Sequence, residues 1–204
     1  MSDAATRFDR GYFDKWYRHP RHRVTSPVEI RRRASLAIGV AEFVLGRTVR
    51  SVLDVGCGEG QWRAALLKLR PRLRYQGVDA SEYVVRRFGR ARNIRYGTVG
   101  RLDEAGLRGP YDIVVCADVL HYLDAPELDR GLAHIGALLG GVAYLPTFTS
   151  ADDVDGDVQA VRSRRPAWYL RRFAAAGLIA LGLEFYASAS VRETLSALEL
   201  AASA

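Results

Sequence analysis

Apolar residues in this chain fall into two rhythms that alternate from about residue 50 onward. Short apolar runs, "SVLDV", "LRYQGVD", "NIRYGTV", "YDIVVCADVL", "VAYLPTF" and "LIALGLEFYA", have the length of buried strands. Between them, "GQWRAALLKLR", "SEYVVRRFGRAR", "APELDRGLAHIGALLGG" and "RPAWYLRRFAAAG" carry apolar positions three or four apart, which predicts amphipathic helices. The local punctuation agrees. Pro71 ends the first helix, Ser81 caps the second, Pro126 opens the third with glycines at its end, and Gly177 stops the fourth. Upstream, Ser26-Pro27-x-Glu29 opens a longer helix that runs to Gly46. The tail segment "ETLSALEL" is ambiguous by periodicity alone.

Strands alternating with helices predict an α/β fold, a doubly wound sheet covered on both faces. In such sheets ligands bind outside the carboxyl ends of the strands, at the switch point. The opening residues differ in kind. "FDRGYFDKWYRHPRHRV" crowds Phe8, Tyr12, Phe13, Trp16 and Tyr17 together, with Tyr12/Trp16 and Phe13/Tyr17 at helical i, i+4 spacing before Pro20. One domain is expected over residues 1–204, with 1–26 as a helical lid or extension on a core of 27–204.

Composition changes this picture little. With 204 residues and 49% apolar content, the chain can bury a full core. No apolar run approaches a membrane span, and the first residues lack the apolar stretch of a signal peptide, so a cytoplasmic protein with no membrane partner is expected. Cys57 and Cys116 alone make neither a disulfide framework nor a zinc pattern. The net charge of +7 raises a nucleic-acid partner, but only Lys15 and Lys68 of the 30 basic residues are lysines and the arginines are scattered. That pattern reads as compositional bias and solvated helix faces, which argues against a nucleic-acid track.

The chemistry concentrates in "VLDVGCGEG", where Gly56, Gly58 and Gly60 recur at every second position between a strand and a helix. Glycine permits positive φ and close approach of a ligand to the backbone, and the helix N-terminus behind it offers free N–H groups. A dinucleotide turn needs G-x-G-x-x-G, and Gln61 breaks that spacing. The segment "LDVGCGEG" instead resembles the first motif of the class I S-adenosylmethionine (SAM)-dependent methyltransferases, with Asp54, Gly56, Gly58 and Gly60 filling its positions. "YQGVDAS", "YDIVVCADVLHYLD", "GGVAYLPTF" and "WYLRRFAAAGL" resemble later parts of the same family in order.

That resemblance implies a Rossmann-like seven-stranded sheet of order 3-2-1-4-5-7-6 with the last strand antiparallel, which makes "ETLSALEL" the expected last strand. It implies SAM as cofactor. Asp54 would serve the glycine loop and the methionine end, and Asp79 would accept from both ribose hydroxyls, beside Cys57, Ala80, Thr98, Val99, Cys116 and Asp118. The family's acid after the third strand is missing from "YGTVG", leaving Thr98, a backbone group or Asp103 to read adenine.

Methyl transfer needs an aligned nucleophile, excluded water and, for a hydroxyl acceptor, a base. His121, with Tyr122 beside it, is the general-base candidate, with packing against cofactor or substrate as the alternative. Tyr12, Tyr17 and His22 of the aromatic lid are substrate candidates, or else a plain packing helix. "DDVDGD" imitates a calcium loop but has Val158 where glycine is required, so no metal is expected. The Asn/Asp-Pro-Pro-aromatic signature of amino-methylating enzymes is absent after the fourth strand, and Cys116 is not preceded by proline as a cytosine-5 nucleophile would be, so exocyclic base amines and cytosine C5 are not the expected targets. The expected acceptor is therefore the O or N of a small molecule, by a monomer or homodimer. RNA or protein methylation and a non-catalytic SAM-binding module are the alternatives.

Overall fold

A computed structural model describes residues 8–153, 157 and 160–201. Seven strands form one sheet: β1 (Ser51–Val55), β2 (Arg74–Asp79), β3 (Ile94–Tyr96), β4 (Tyr111–Val115), β5 (Leu139–Tyr144), β6 (Ile179–Gly182) and β7 (Phe185–Ala187). Their order is β3-β2-β1-β4-β5-β7-β6, and only β7 runs antiparallel to its neighbours. The expected architecture is therefore the observed one.

Helices α2 (Pro27–Leu45), α3 (Gln61–Leu69), α4 (Glu82–Arg92), α5 (Ala125–Leu138) and α6 (Pro166–Ala175) cover the sheet, after a short α1 (Arg10–Phe13). A π-helical turn, Asp14–Arg18, continues α1. The caps act as their chemistry demands: the side chains of Ser26, Ser81 and Asp124 accept from the backbone N–H three residues on. Gly46 closes α2 at φ 63°.

Each central strand sends alternate side chains into two separate cores. Val52, Ile113, Val142 and Phe185 pack under α2 and α3. Leu53, Val114, Ala143 and Tyr186 pack under α5 and α6. Ala34, Ala37 and Ala41 are fully buried on α2, so that helix lies close on the sheet.

Two segments differ from the sequence-based expectation. "LIALGLEFYA" is two strands, β6 and β7, joined by a two-residue turn at Leu183 (φ 50°) and Glu184 (φ 65°). Such a turn normally announces itself with Asn or Gly, and neither central position has one. The tail consequently is not a strand: it forms a 3₁₀ turn over Ala189–Thr194 and a short helix α7 over Ala197–Ala201. Gly140 and Gly141 do not stop α5, which runs directly into β5. They admit close neighbours instead, since a Cβ at Gly141 would lie 2.3 Å from the Asp112 carbonyl oxygen. Among the described residues, no helix is long and apolar enough to cross a membrane.

Candidate active site

The carboxyl ends of β1, β2 and β4 open into a cavity of about 420 Å³. Its floor is the loop between β1 and α3. Gly56, Gly58 and Gly60 stand at φ 68°, 51° and 77°, so every second residue of that loop takes the left-handed conformation that glycine adopts freely. The space is also closed to a side chain: a Cβ at Gly56 would meet Val119 Cγ2 at 2.4 Å, and one at Gly58 would meet the Tyr17 hydroxyl at 2.7 Å. Gly60 does not line the cavity; it caps α3. The Gly56 and Cys57 N–H groups both donate to the Val78 carbonyl, at 2.8 and 3.1 Å, which ties the loop to β2.

Two buried carboxylates flank this floor. Asp54 Oδ2 accepts from the Tyr75 hydroxyl at 2.7 Å, and Oδ1 has no hydrogen-bond partner among the described residues. Burial pushes its pKa up to about 7, against the bond from Tyr75 and with the charge of Asp79 adding. Asp79 accepts the Gly58 N–H on Oδ2 (2.7 Å) and the Ser81 N–H on Oδ1 (2.8 Å). Burial raises it to about 6 in spite of those two donors. Each carboxylate oxygen can accept twice, so Asp79 keeps one acceptor position per oxygen for a ligand.

Gly56, Cys57, Gly58, Ala80, Thr98, Val99, Asp118 and Tyr122 all line the cavity, and so do Tyr12 and Tyr17 of the N-terminal segment. Burial raises the Tyr17 phenol well above its ordinary value. The N-terminal segment is fastened to the glycine loop and the start of α4, because Arg18 pairs with Asp14 and with Glu59, and the Ser81 hydroxyl donates to the Phe8 carbonyl. Phe13 is buried against Cys57, Val84 and Ile94.

Four expected site residues lie elsewhere. Gly60 was placed above. Cys116 is fully buried off the cavity, and its thiol is pushed far up by burial. His22 is exposed outside the cavity, its ring 4.6 Å from that of His19. His121 is the main correction. Its side chain is fully buried under Tyr122 and Phe148, with ring centroids at 4.3 and 4.9 Å, and it does not line the cavity. Its Nδ1 accepts the Phe148 N–H at 3.4 Å, so the neutral ring carries its proton on Nε2, which has no partner among the described residues. Burial lowers its pKa to about 4. The ring therefore stands behind Tyr122 and Phe148, which do line the cavity.

Sequence reasoning missed Glu127 and Arg33. Glu127, in the first turn of α5, lines the cavity beside Thr98 and Val99. Gly100 leaves room for it, since a Cβ there would lie 2.7 Å from Glu127 Cγ. Burial, with the charge of Asp124, raises its pKa. Asp103, by contrast, is exposed and contacts His134 at 3.3 Å. Arg33 reaches from α2 to Asp118 Oδ2 (3.2 Å) and Glu29 (3.0 Å). In the "DDVDGD" loop, Asp157 lines the cavity, whereas Asp155 and Val158 lie outside the described residues.

Residues 53–142 match a family model described as a methyltransferase domain. An uncharacterized protein of Synechococcus sp. is 33% identical over 103 residues, 46% of this chain and 24% of that one. The match thus spans about a quarter of that relative. Among solved structures, a sugar N-methyltransferase from Streptoalloteichus is similar with a TM-score of 0.56 and 24% identity, over 71% of this chain and 78% of that one. Magnesium protoporphyrin IX methyltransferase from Synechocystis, with bound S-adenosylhomocysteine (SAH), has a TM-score of 0.61 and 16% identity, over 91% and 98% of the two chains. Likeness at these identities is a likeness of fold.

Proposed function

We propose that this chain, a class I SAM-dependent methyltransferase, moves the methyl group of SAM to an O or N atom of a small-molecule acceptor by in-line displacement. The observation that carries the reading is the cavity floor. Three left-handed glycines lie between two buried carboxylates at the ends of β1 and β2, and Asp54 Oδ1 lacks a hydrogen-bond partner among the described residues. Gln61 lines this cavity where a dinucleotide turn would place its third glycine.

The residues present fit the cofactor. Asp79 would take the ribose hydroxyls, Asp54 and the glycine loop the methionine end, and Thr98, Val99 and Glu127 the adenine. Bound there, SAM supplies a sulfonium-activated methyl group. The chain's own part is to bind, orient and exclude water, with Tyr12 and Tyr17 closing over the site. Glu127 replaces the acid expected after the third strand: a carboxylate there accepts from the adenine amino group.

Titration calorimetry tests both statements. SAM and SAH are expected to bind in the micromolar range and NAD not at all. Glu127→Gln is expected to weaken SAH about tenfold, the worth of one hydrogen bond to a charged acceptor. NAD binding in preference to SAH overturns the assignment, and an unchanged Glu127→Gln affinity removes Glu127 from adenine recognition.

His121 acts as a positioning residue in this reading. His121→Gln is expected to lower stability by about 1–3 kcal/mol through lost packing, measured by denaturant unfolding. It should raise the acceptor KM more than it lowers kcat, and the pH profile of kcat should be unaltered between pH 6 and 8. A rate loss of about 100-fold with unchanged KM would restore His121 as the base.

A further inference from the structure

We propose that the acceptor is an amine, bound as its ammonium ion, with Asp118 holding the nitrogen and the lid aromatics holding an apolar or flat body. This rests on the methyl-transfer reading above and names its substrate class. The first observation is an inversion of charge. The chain carries +7 overall, yet Asp54, Asp79, Asp118, Glu127 and Asp157 line the cavity, with Arg33 as the lining cation among the described residues. Three of those carboxylates, Asp54, Asp79 and Glu127, belong to the proposed cofactor seat. Asp118 does not: it follows β4, at φ 59°, with its N–H fixed to the Pro146 carbonyl at 3.0 Å.

A left-handed conformation at a non-glycine residue is uncommon, and Asp tolerates it better than most. Here it sets a carboxylate at the cavity wall. Oδ2 of that carboxylate takes Arg33, and Oδ1 has no hydrogen-bond partner among the described residues. Arg33 is already shared with Glu29, so this group of one guanidinium and two carboxylates keeps a net negative charge. Tyr12, Trp16, Tyr122 and Phe148 supply aromatic faces on the same cavity, and such faces attract a cation.

An anionic acceptor would meet this wall with like charge. A phenol, with a pKa near 10, would have to become an anion in the same acidic surroundings before it attacked. An ammonium enters with favourable charge and, although its ordinary pKa is also near 10, it gives up its proton without becoming an anion. That proton passes to Asp118 Oδ1, freeing the nitrogen lone pair. The lone pair forms the N–C bond to the methyl carbon as the C–S bond breaks. The C–S electron pair stays on sulfur, leaving a neutral thioether, and the methylated nitrogen carries the positive charge.

Three probes of one shape test this: phenethylamine, 2-phenylethanol and 3-phenylpropionate, titrated by calorimetry into protein saturated with SAH. The amine is expected to bind at least about tenfold more tightly than the alcohol, with no binding of the acid. Asp118→Asn is expected to erase the preference, and titration of the same variant with SAH reports whether its cofactor seat is intact. Equal binding of the three probes, a preference for the acid or alcohol, or binding of none overturns the proposal. Failure of SAH to bind the unaltered protein would instead overturn the methyl-transfer reading.

Discussion

Asp79→Ala is expected to abolish SAM and SAH binding at the concentrations where the unaltered protein is saturated. The side chain fixes the Gly58 and Ser81 N–H groups, at 2.7 and 2.8 Å, and in the proposed complex it also accepts from the ribose. A hydrogen bond to a charged acceptor contributes about 1.5–3 kcal/mol, so losing the two to ribose weakens binding by at least about 100-fold. The Gly58 N–H, left without its acceptor, also loosens the glycine loop. The variant should still fold, because the side chain's hydrogen bonds go to the Gly58 and Ser81 N–H groups while backbone pairing sets the sheet register. Thermal unfolding separates the two effects. The unaltered protein should gain stability with SAH, about 2.7 kcal/mol at 100 times the Kd, and Asp79→Ala should gain none. A variant that keeps most of that gain would show that the ribose is held elsewhere.

Much of this site was legible because its requirements are local. Positive φ at alternate residues leaves glycine as the ready choice, so Gly56, Gly58 and Gly60 announce the loop. Capping is local too, and Ser26 and Ser81 mark helix starts correctly. What stayed hidden depends on tertiary contact or on unusual residues in a familiar shape. The β6–β7 hairpin turns on Leu183 and Glu184, which no turn rule flags. Glu127 belongs by sequence to the helix after β4, and only folding sets it beside Thr98 and Val99. His121 sits in a turn, where exposure is the ordinary expectation, but Tyr122 and Phe148 enclose it. The lid aromatics were legible as a group, although only the fold separates Tyr12 and Tyr17, in the cavity, from His22, outside it.

SAH affinity is expected to rise by about 100-fold or more between pH 5 and pH 8, then to level off. Asp54 and Asp79 have folded pKa values raised by burial to about 7 and about 6. For such groups the folded protein holds its protons more tightly than the unfolded chain, whose carboxyls titrate near 3.9. Their contribution to the stability of the ligand-free protein is therefore full below about pH 4 and is lost as pH rises through 6 and 7. Ligand donors at the same carboxylates favour the ionised forms, so binding displaces the protons. At pH 5 that displacement opposes binding, by up to tenfold per proton for each pH unit below the pKa. At pH 8 both groups are already ionised and the opposition is gone. Calorimetry near pH 6.5 in two buffers of different ionisation enthalpy should show about one proton released, since Asp54 is then mostly protonated and Asp79 mostly ionised. Asp54→Asn should flatten the upper part of the profile, where the carboxyl of highest pKa titrates. The same variant should remove part of the loss of ligand-free stability between pH 5 and 8. An affinity that is flat from pH 5 to pH 8, with no protons released, would place the ligand away from both carboxylates and would overturn the assignment of the cavity floor.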